Sequence, residues 1–175
     1  MHLNVQKIGV RALSTKDIRM ITKFIRKRIG IRDNEKFPVL KVIEWILSNP
    51  KSKVTLEIME IHEMEGVYAL TDTIHDVIKI RSDVYEGAYR NNPRDVFTLC
   101  HELGHYFLHG LEAIEFARVD EKLPAFRDPE WQADTFAAEI MAPYSMARNM
   151  SVEEIEKNYG MSHQAAVIRH RNCLK

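Results

Sequence analysis

Three residues within five positions, His101, Glu102 and His105, are the best-equipped part of this sequence for chemistry. They form the pattern H-E-x-x-H. On a helix, residues four apart share a face about 6 Å along the axis. His101 and His105 can therefore aim two imidazole nitrogens at one ion. Glu102 is turned about 100° from His101 and can reach a water held on that ion. Neutral imidazoles suit zinc, and a carboxylate beside them suits proton transfer from zinc-bound water. The same donor types also accept manganese. The bare pentapeptide is a weak signal, because a chance pair of histidines on an amphipathic helix gives the same letters.

The flanking residues supply the helix this chemistry needs. Asn92 and Pro93 stand where an N-cap and a first helical residue belong. Val96, Phe97, Leu99, Cys100, Leu103, Phe107 and Leu108 keep a helical period, and Gly110 stops the run.

Two histidines are too few, since catalytic zinc usually has three protein ligands and a water. His109 continues the face of His101 and His105. It would lie about 12 Å along the axis from His101 if the helix continued, so it reads as a capping or packing residue. His62, His75 and His163 are isolated and read as surface or satisfied histidines. Glu130 is the better third ligand, in the first turn of a later helix with Asp134 one turn on. The glutamate would bind the ion, and the aspartate would accept the free N–H of a ligand histidine and fix its tautomer. A helix dipole alone also favours two acidic residues there. Glu112, Glu115 and Glu139 are fallback ligands.

The other elements follow in order. Residues 1–13 carry little signal. Ser14 to Asp17 resembles a capping box opening a helix with Ile18, Ile21, Ile25 and Ile29 inward, closed by Gly30. Lys23, Arg26, Lys27 and Arg28 read as its solvated face. Pro38 to Ser48 is a second helix, ended by Asn49-Pro50. The period then changes to two. Val54 to Ile58, Gly66 to Thr71 and Asp76 to Arg81 read as strands, the last two a hairpin turning near Thr73. Val67–Leu70 is expected at the sheet edge, where an extended substrate could add as a further strand. Gly110 to Arg127 reads as an irregular lid, binding loop or plain surface loop. Asp128-Pro129 starts the helix through Ala142. Ser151 to Glu154 is an S-x-x-E capping box. The helix it opens, Tyr159-Gly160-Met161-Ser162 and a last helix give residues 151–172 a helix-turn-helix outline decorated by Arg169, His170 and Arg171.

The totals bound the class. A chain of 175 residues, 45% apolar and 29% charged, fits one soluble globular domain over residues 1–175. Lysine plus arginine equals aspartate plus glutamate, 25 each, so net charge announces no nucleic-acid or membrane surface. Two cysteines, Cys100 and Cys173, without C-x-x-C spacing suggest no disulfide framework and fit a reducing cytoplasm. No stretch reads as a secretory leader or approaches the ~20 apolar residues of a membrane span.

Two long motifs carry a resemblance. Phe97-Thr98-Leu99-Cys100-His101-Glu102-Leu103-Gly104-His105-Tyr106-Phe107-Leu108-His109 resembles the F-T-x-x-H-E-L-G-H-x-x-L-H signature of the ImmA/IrrE-type metallopeptidases. Glu130 to Pro143 is similar to their second signature, E-x-x-A-[ND]-x-F-A-x-x-[LI]-[LM]-x-P. Cys100 and Ala142 vary from the usual pattern without touching a chemical role. The resemblance implies an α+β, zincin-like fold, mostly helical with a small three-stranded sheet. It implies zinc ligands His101, His105 and Glu130, with Glu102 as general base. It also implies an endopeptidase acting inside bacteria, often from phage-like or mobile elements, on a helix-turn-helix repressor or antitoxin-like regulator.

The residues leave the oxyanion donor open among Tyr85, Tyr89, His109 and His163. They also leave a second function open: a DNA-binding regulator using residues 151–172, with zinc in a structural role.

Overall fold

A computed structural model describes residues 7–47, 54–110, 114–119 and 124–174, with the side chains of 7–9, 47 and 114–119 outside that description. The fold is α+β, mostly helical, with a small three-stranded mixed sheet. Helix α1 (Thr15–Arg28) opens with the capping box, Ser14 N–H donating to Asp17 at 2.9 Å. Gly30 follows it with a left-handed φ of 76°, a conformation glycine adopts without a Cβ penalty. Helix α2 spans Val39–Leu47; Ser48, Asn49 and Pro50, read as its end, lie outside the described residues.

The sheet is built from β2 (Thr55–Met59), β3 (Ala69–Asp72) and β4 (Val77–Arg81) in the order β2-β4-β3. Strands β2 and β4 are parallel, pairing Thr55 with Val77 through Met59 with Arg81. Strands β3 and β4 are antiparallel, pairing Ala69 with Ile80 through Asp72 with Val77. The hairpin expectation holds, although β3 begins later than Gly66. Among the described residues β3 has a neighbour on one side only, as expected of an edge strand. Arg81 N donates to Tyr68 O at 3.1 Å. Antiparallel bonding alternates, so Leu70 and Asp72 bond towards β4. Ala69 and Thr71 turn their backbone groups to the free edge.

Helix α3 (Ser82–Tyr89) leads into α4 (Pro93–Leu108), the helix of the H-E-x-x-H pattern. Asn92 caps α4 by accepting from Arg94 N at 3.0 Å. Helix α5 (Pro129–Met141) is capped in the same way by Asp128, which accepts from Glu130 N at 3.0 Å. Each proline removes a donor that the first turn could not have satisfied. Leu99, Cys100 and Leu103 of α4, Phe136 and Ile140 of α5, and Ile78 and Ile80 of β4 are sealed in one apolar cluster.

Three expectations need correction. The stretch from Gly110 to Arg127 is not irregular throughout. It contains β5 (Ile114–Val119), which pairs antiparallel with β1 (Lys7–Val10), Lys7 opposite Val119 and Val10 opposite Ile114. Residues 111–113 and 120–123 lie outside the described residues. Arg26 is not on a solvated face. It is buried, and its guanidinium donates to the carbonyls of Ile140, Arg32 and Glu35. Backbone acceptors from α5 and from the loop after α1 replace most of the water it gave up, and its Nε is left without a partner among the described residues.

The third correction concerns the C-terminal pair, α7 (Val152–Tyr159) and α8 (His163–Cys173), next to the short α6 (Tyr144–Ala147). Arg169 does not decorate the surface. It is buried in a two-pronged pair with Glu139 of α5, at 2.9 and 2.8 Å, and donates to Ala142 O at 2.9 Å. Arg19 of α1 reaches the same carboxylate at 3.1 Å. His170 contacts Met150 O at 3.0 Å. The helix-turn-helix outline is thus fastened to α5 through one of its three basic or titratable residues.

Candidate metal centre

The site exists because α4 and α5 touch at a residue with no side chain. A Cβ on Gly104 would lie 3.0 Å from Ala133 Cα and 3.2 Å from Phe136 Cβ. This close approach sets Glu130 and Asp134 of α5 against His101 and His105 of α4. Their donor atoms converge. His101 Nε2 lies 3.0 Å from His105 Nε2 and 3.4 Å from Glu130 Oε2, and His105 Nε2 lies 3.5 Å from Glu130 Oε1. A tetrahedral ion with bonds of about 2.0–2.1 Å holds its donors ~3.3 Å apart. The three side chains therefore already stand at ligand spacing and could hold a metal ion.

The protons around the site agree with that use. Asp134 Oδ1 lies 2.9 Å from His101 Nδ1. A carboxylate can only accept here, so Nδ1 carries a proton and Nε2 is the atom turned towards a shared cation. Two ring nitrogens 3.0 Å apart and aimed at one point require a proton or a cation between them. Burial opposes charge on His101, but Asp134 and Glu130 more than reverse this and raise its pKa to about 9. Burial, then the charge of His101, holds His105 down at about 4. The cluster thus favours a positive charge at its centre. Glu130 is 68% exposed while the imidazoles are mostly covered, so the centre opens outward on its carboxylate side.

Glu102 completes the arrangement. It is 7% exposed, and its Oε2 is buried with no hydrogen-bond partner among the described residues. Such an orphaned acceptor costs about 1–3 kcal/mol and is suited to receive a proton from a bound water. Burial pushes the carboxyl above the usual carboxylate range, against the opposing pull of Thr71 and His101. Thr71, on the free edge of β3, donates through its hydroxyl to Glu102 O at 3.1 Å. The edge strand is thereby tied to the α4 backbone beside the site.

A family model, the peptidase M78 IrrE N-terminal-like domain, matches residues 52–171. The chain belongs to this family. No curated protein matches it. Membership carries peptidase activity in general and typical metal dependence. No helix among the described residues is long and apolar enough to cross a membrane.

The IrrE-like site draws its residues from both motifs, and of the fallback ligands Glu139 does not join it. Glu139 is committed to Arg169 and Arg19. Glu112 lies outside the described residues, as does the side chain of Glu115. Among the oxyanion candidates, His163 pairs with Glu156 at 2.6 Å and Tyr89 borders a groove with Phe37 and Tyr159. Tyr85 packs against the apolar core.

His109 caps α4, as its position suggested, and is buried at 4% exposure. It also lies against His105, Nδ1 to Nδ1 at 2.9 Å, with its Nε2 3.0 Å from Gln132 Oε1. Sequence reasoning missed Gln132. The contact of His109 with His105 was legible in their one-turn spacing, but nothing in the sequence pointed to Gln132.

Proposed function

We propose that the chain is a zinc-dependent endopeptidase that hydrolyses an internal peptide bond of a helix-turn-helix repressor or antitoxin-like regulator. His101, His105 and Glu130 would hold the zinc ion. The observation that carries this reading is the convergence of two imidazole nitrogens and a carboxylate at ligand spacing, with the unpartnered Glu102 Oε2 beside them. A bound zinc ion would supply Lewis-acid polarisation of the scissile carbonyl and bring the pKa of a water from ~16 towards ~7.

The chain's own residues do the rest. Glu102 accepts the proton of the attacking water and returns it to the departing amine. Its burial favours the first of these transfers, because the protonated carboxyl is the form a dry site stabilises. Asp134 holds the His101 ring at Nδ1. The free edge of β3 offers the backbone of Ala69 for pairing with an extended substrate segment. A groove of about 420 Å³, lined in part by Phe97, Trp131, Met161 and Ile168, passes Asp134 and suits apolar side chains of that segment.

The regulator as substrate class rests on the resemblance of the two motifs. The buried free thiols of Cys100 and Cys173 support a reducing, cytoplasmic setting. The DNA-binding alternative loses Arg169, which is buried against Glu139. The test is incubation of the zinc-loaded protein, wild type and Glu102→Gln, with regulators encoded beside its gene. Fragments from wild type alone are expected. Fragments from both proteins would remove Glu102 from its role, and intact regulators in both would remove the substrate class.

A further inference from the structure

We infer that Gln132 and His109 form a one-way hydrogen-bond relay that fixes the tautomer of His105, leaving its Nε2 bare for the metal. The inference rests on the metal-binding reading above. It starts from a residue whose protons are unambiguous. Gln132 Nε2 lies 2.8 Å from Arg11 O and 2.8 Å from Phe126 O. Both are carbonyls and can only accept, so they take both amide protons of Gln132. A flipped amide would set three oxygens against one another. Gln132 Oε1 therefore faces His109, at 3.0 Å from its Nε2.

The direction then propagates. An amide oxygen cannot donate, so His109 Nε2 carries the proton. His109 Nδ1 and His105 Nδ1 are 2.9 Å apart and share one more. Placing it on His109 would make a buried imidazolium next to a site meant for a dication. Placing it on His105 leaves both rings neutral and turns the His105 Nε2 lone pair to the point faced by His101 Nε2 and Glu130. Every donor in the chain points away from the metal centre. Each bond polarises the next, which strengthens the electron pair on His105 Nε2.

The two ligand histidines are thus held by different means. His101 leans on Asp134, a carboxylate 62% exposed. His105 leans on neutral groups, with Gln132 sealed in the interior. The relay ends on Arg11, directly after β1, and on Phe126, just before α5. The same Phe126 carbonyl accepts from Leu13 N at 2.9 Å. The orientation of a metal ligand is consequently set by two backbone segments far from the H-E-x-x-H helix in sequence. Gln132 and His109 are positioning residues, touching neither ion nor substrate.

The test is nitrogen-15 NMR of the histidine rings in the zinc-loaded protein, with zinc affinity measured by chelator competition. In wild type, His109 should be protonated at Nε2 alone and His105 at Nδ1 alone. Gln132→Leu and His109→Leu should each bind zinc about 10–100-fold more weakly. His109→Gln retains an acceptor for His105 and a donor for Gln132, and should restore most of the loss. A purely packing role would let His109→Leu keep wild-type affinity. If the leucine variants fail to fold, the wild-type tautomers decide alone. His109 protonated at Nδ1, or His105 at Nε2, would overturn the relay while leaving zinc binding intact. A wild-type chain that takes up no zinc would overturn the metallopeptidase reading and the relay with it.

Discussion

Gly104→Ala is the perturbation that probes the architecture of the site most sharply. The new methyl would sit 3.0 Å from Ala133 Cα, 3.2 Å from Ala133 O and 3.2 Å from Phe136 Cβ. Two of these neighbours are backbone atoms of α5, so no side chain can swing away. An ordinary carbon contact begins near 3.5 Å, so α5 must retreat by about 0.5 Å relative to α4. Overpacking of this kind costs about 1–3 kcal/mol, while replacing a helical glycine by alanine returns about 1. The net loss is about 0–2 kcal/mol, at most several degrees in Tm for a chain of this size. Metal sites tolerate about 0.2 Å in ligand distance. Glu130 rides on α5, and its oxygens stand 3.4 and 3.5 Å from the imidazole nitrogens. A 0.5 Å retreat exceeds that tolerance, and zinc affinity should fall roughly 10–100-fold, as for other losses of ligand support. Chelator competition and thermal melts of the same preparations separate the two effects. Gly104→Ala with wild-type zinc affinity would refute the claim that this contact sets the ligand spacing.

Other expectations concern single residues. Glu102→Gln should retain zinc while losing about 10²–10⁴-fold in peptide cleavage; full cleavage would contradict its role as base. Glu102 must be deprotonated to act, and burial raises its pKa, so the acid limb of kcat/KM should fall above pH 4.5. A limb at or below that value would contradict the burial argument. Arg169→Met leaves Glu139 buried with Arg19 alone. It should cost about 3 kcal/mol in denaturant unfolding, and a loss under 1 kcal/mol would mean that Arg19 suffices. Cys100 is fully enclosed, and burial raises its thiol pKa strongly. It should react with thiol reagents only on unfolding, and rapid native labelling would contradict the packing.

The parts legible in the sequence were those whose cause is local. Asn92-Pro93 and Asp128-Pro129 carry their own capping chemistry, so the starts of α4 and α5 could be read directly. The spacing of His101, Glu102 and His105 is a property of one helix. The pairing of β1 with β5 was hidden, because residues 7–10 show no alternation strong enough to mark a strand and their partner lies a hundred residues away. Arg26 and Arg169 misled because their side-chain type favours water. Carbonyls in other segments take up the terminal nitrogens of Arg26, and a carboxylate on another helix with a nearby carbonyl satisfies Arg169. Gln132 gave no signal, since its role depends on Arg11 and Phe126 meeting in space.

X-ray absorption at the zinc edge of the loaded protein, with Glu130→Ala beside wild type, addresses the central claim directly. Two imidazoles and carboxylate oxygen at about 2.0–2.2 Å are expected in wild type, with the carboxylate contribution lost in the variant. A sulfur neighbour near 2.3 Å, a third imidazole, or an unchanged spectrum on removing Glu130 would contradict it.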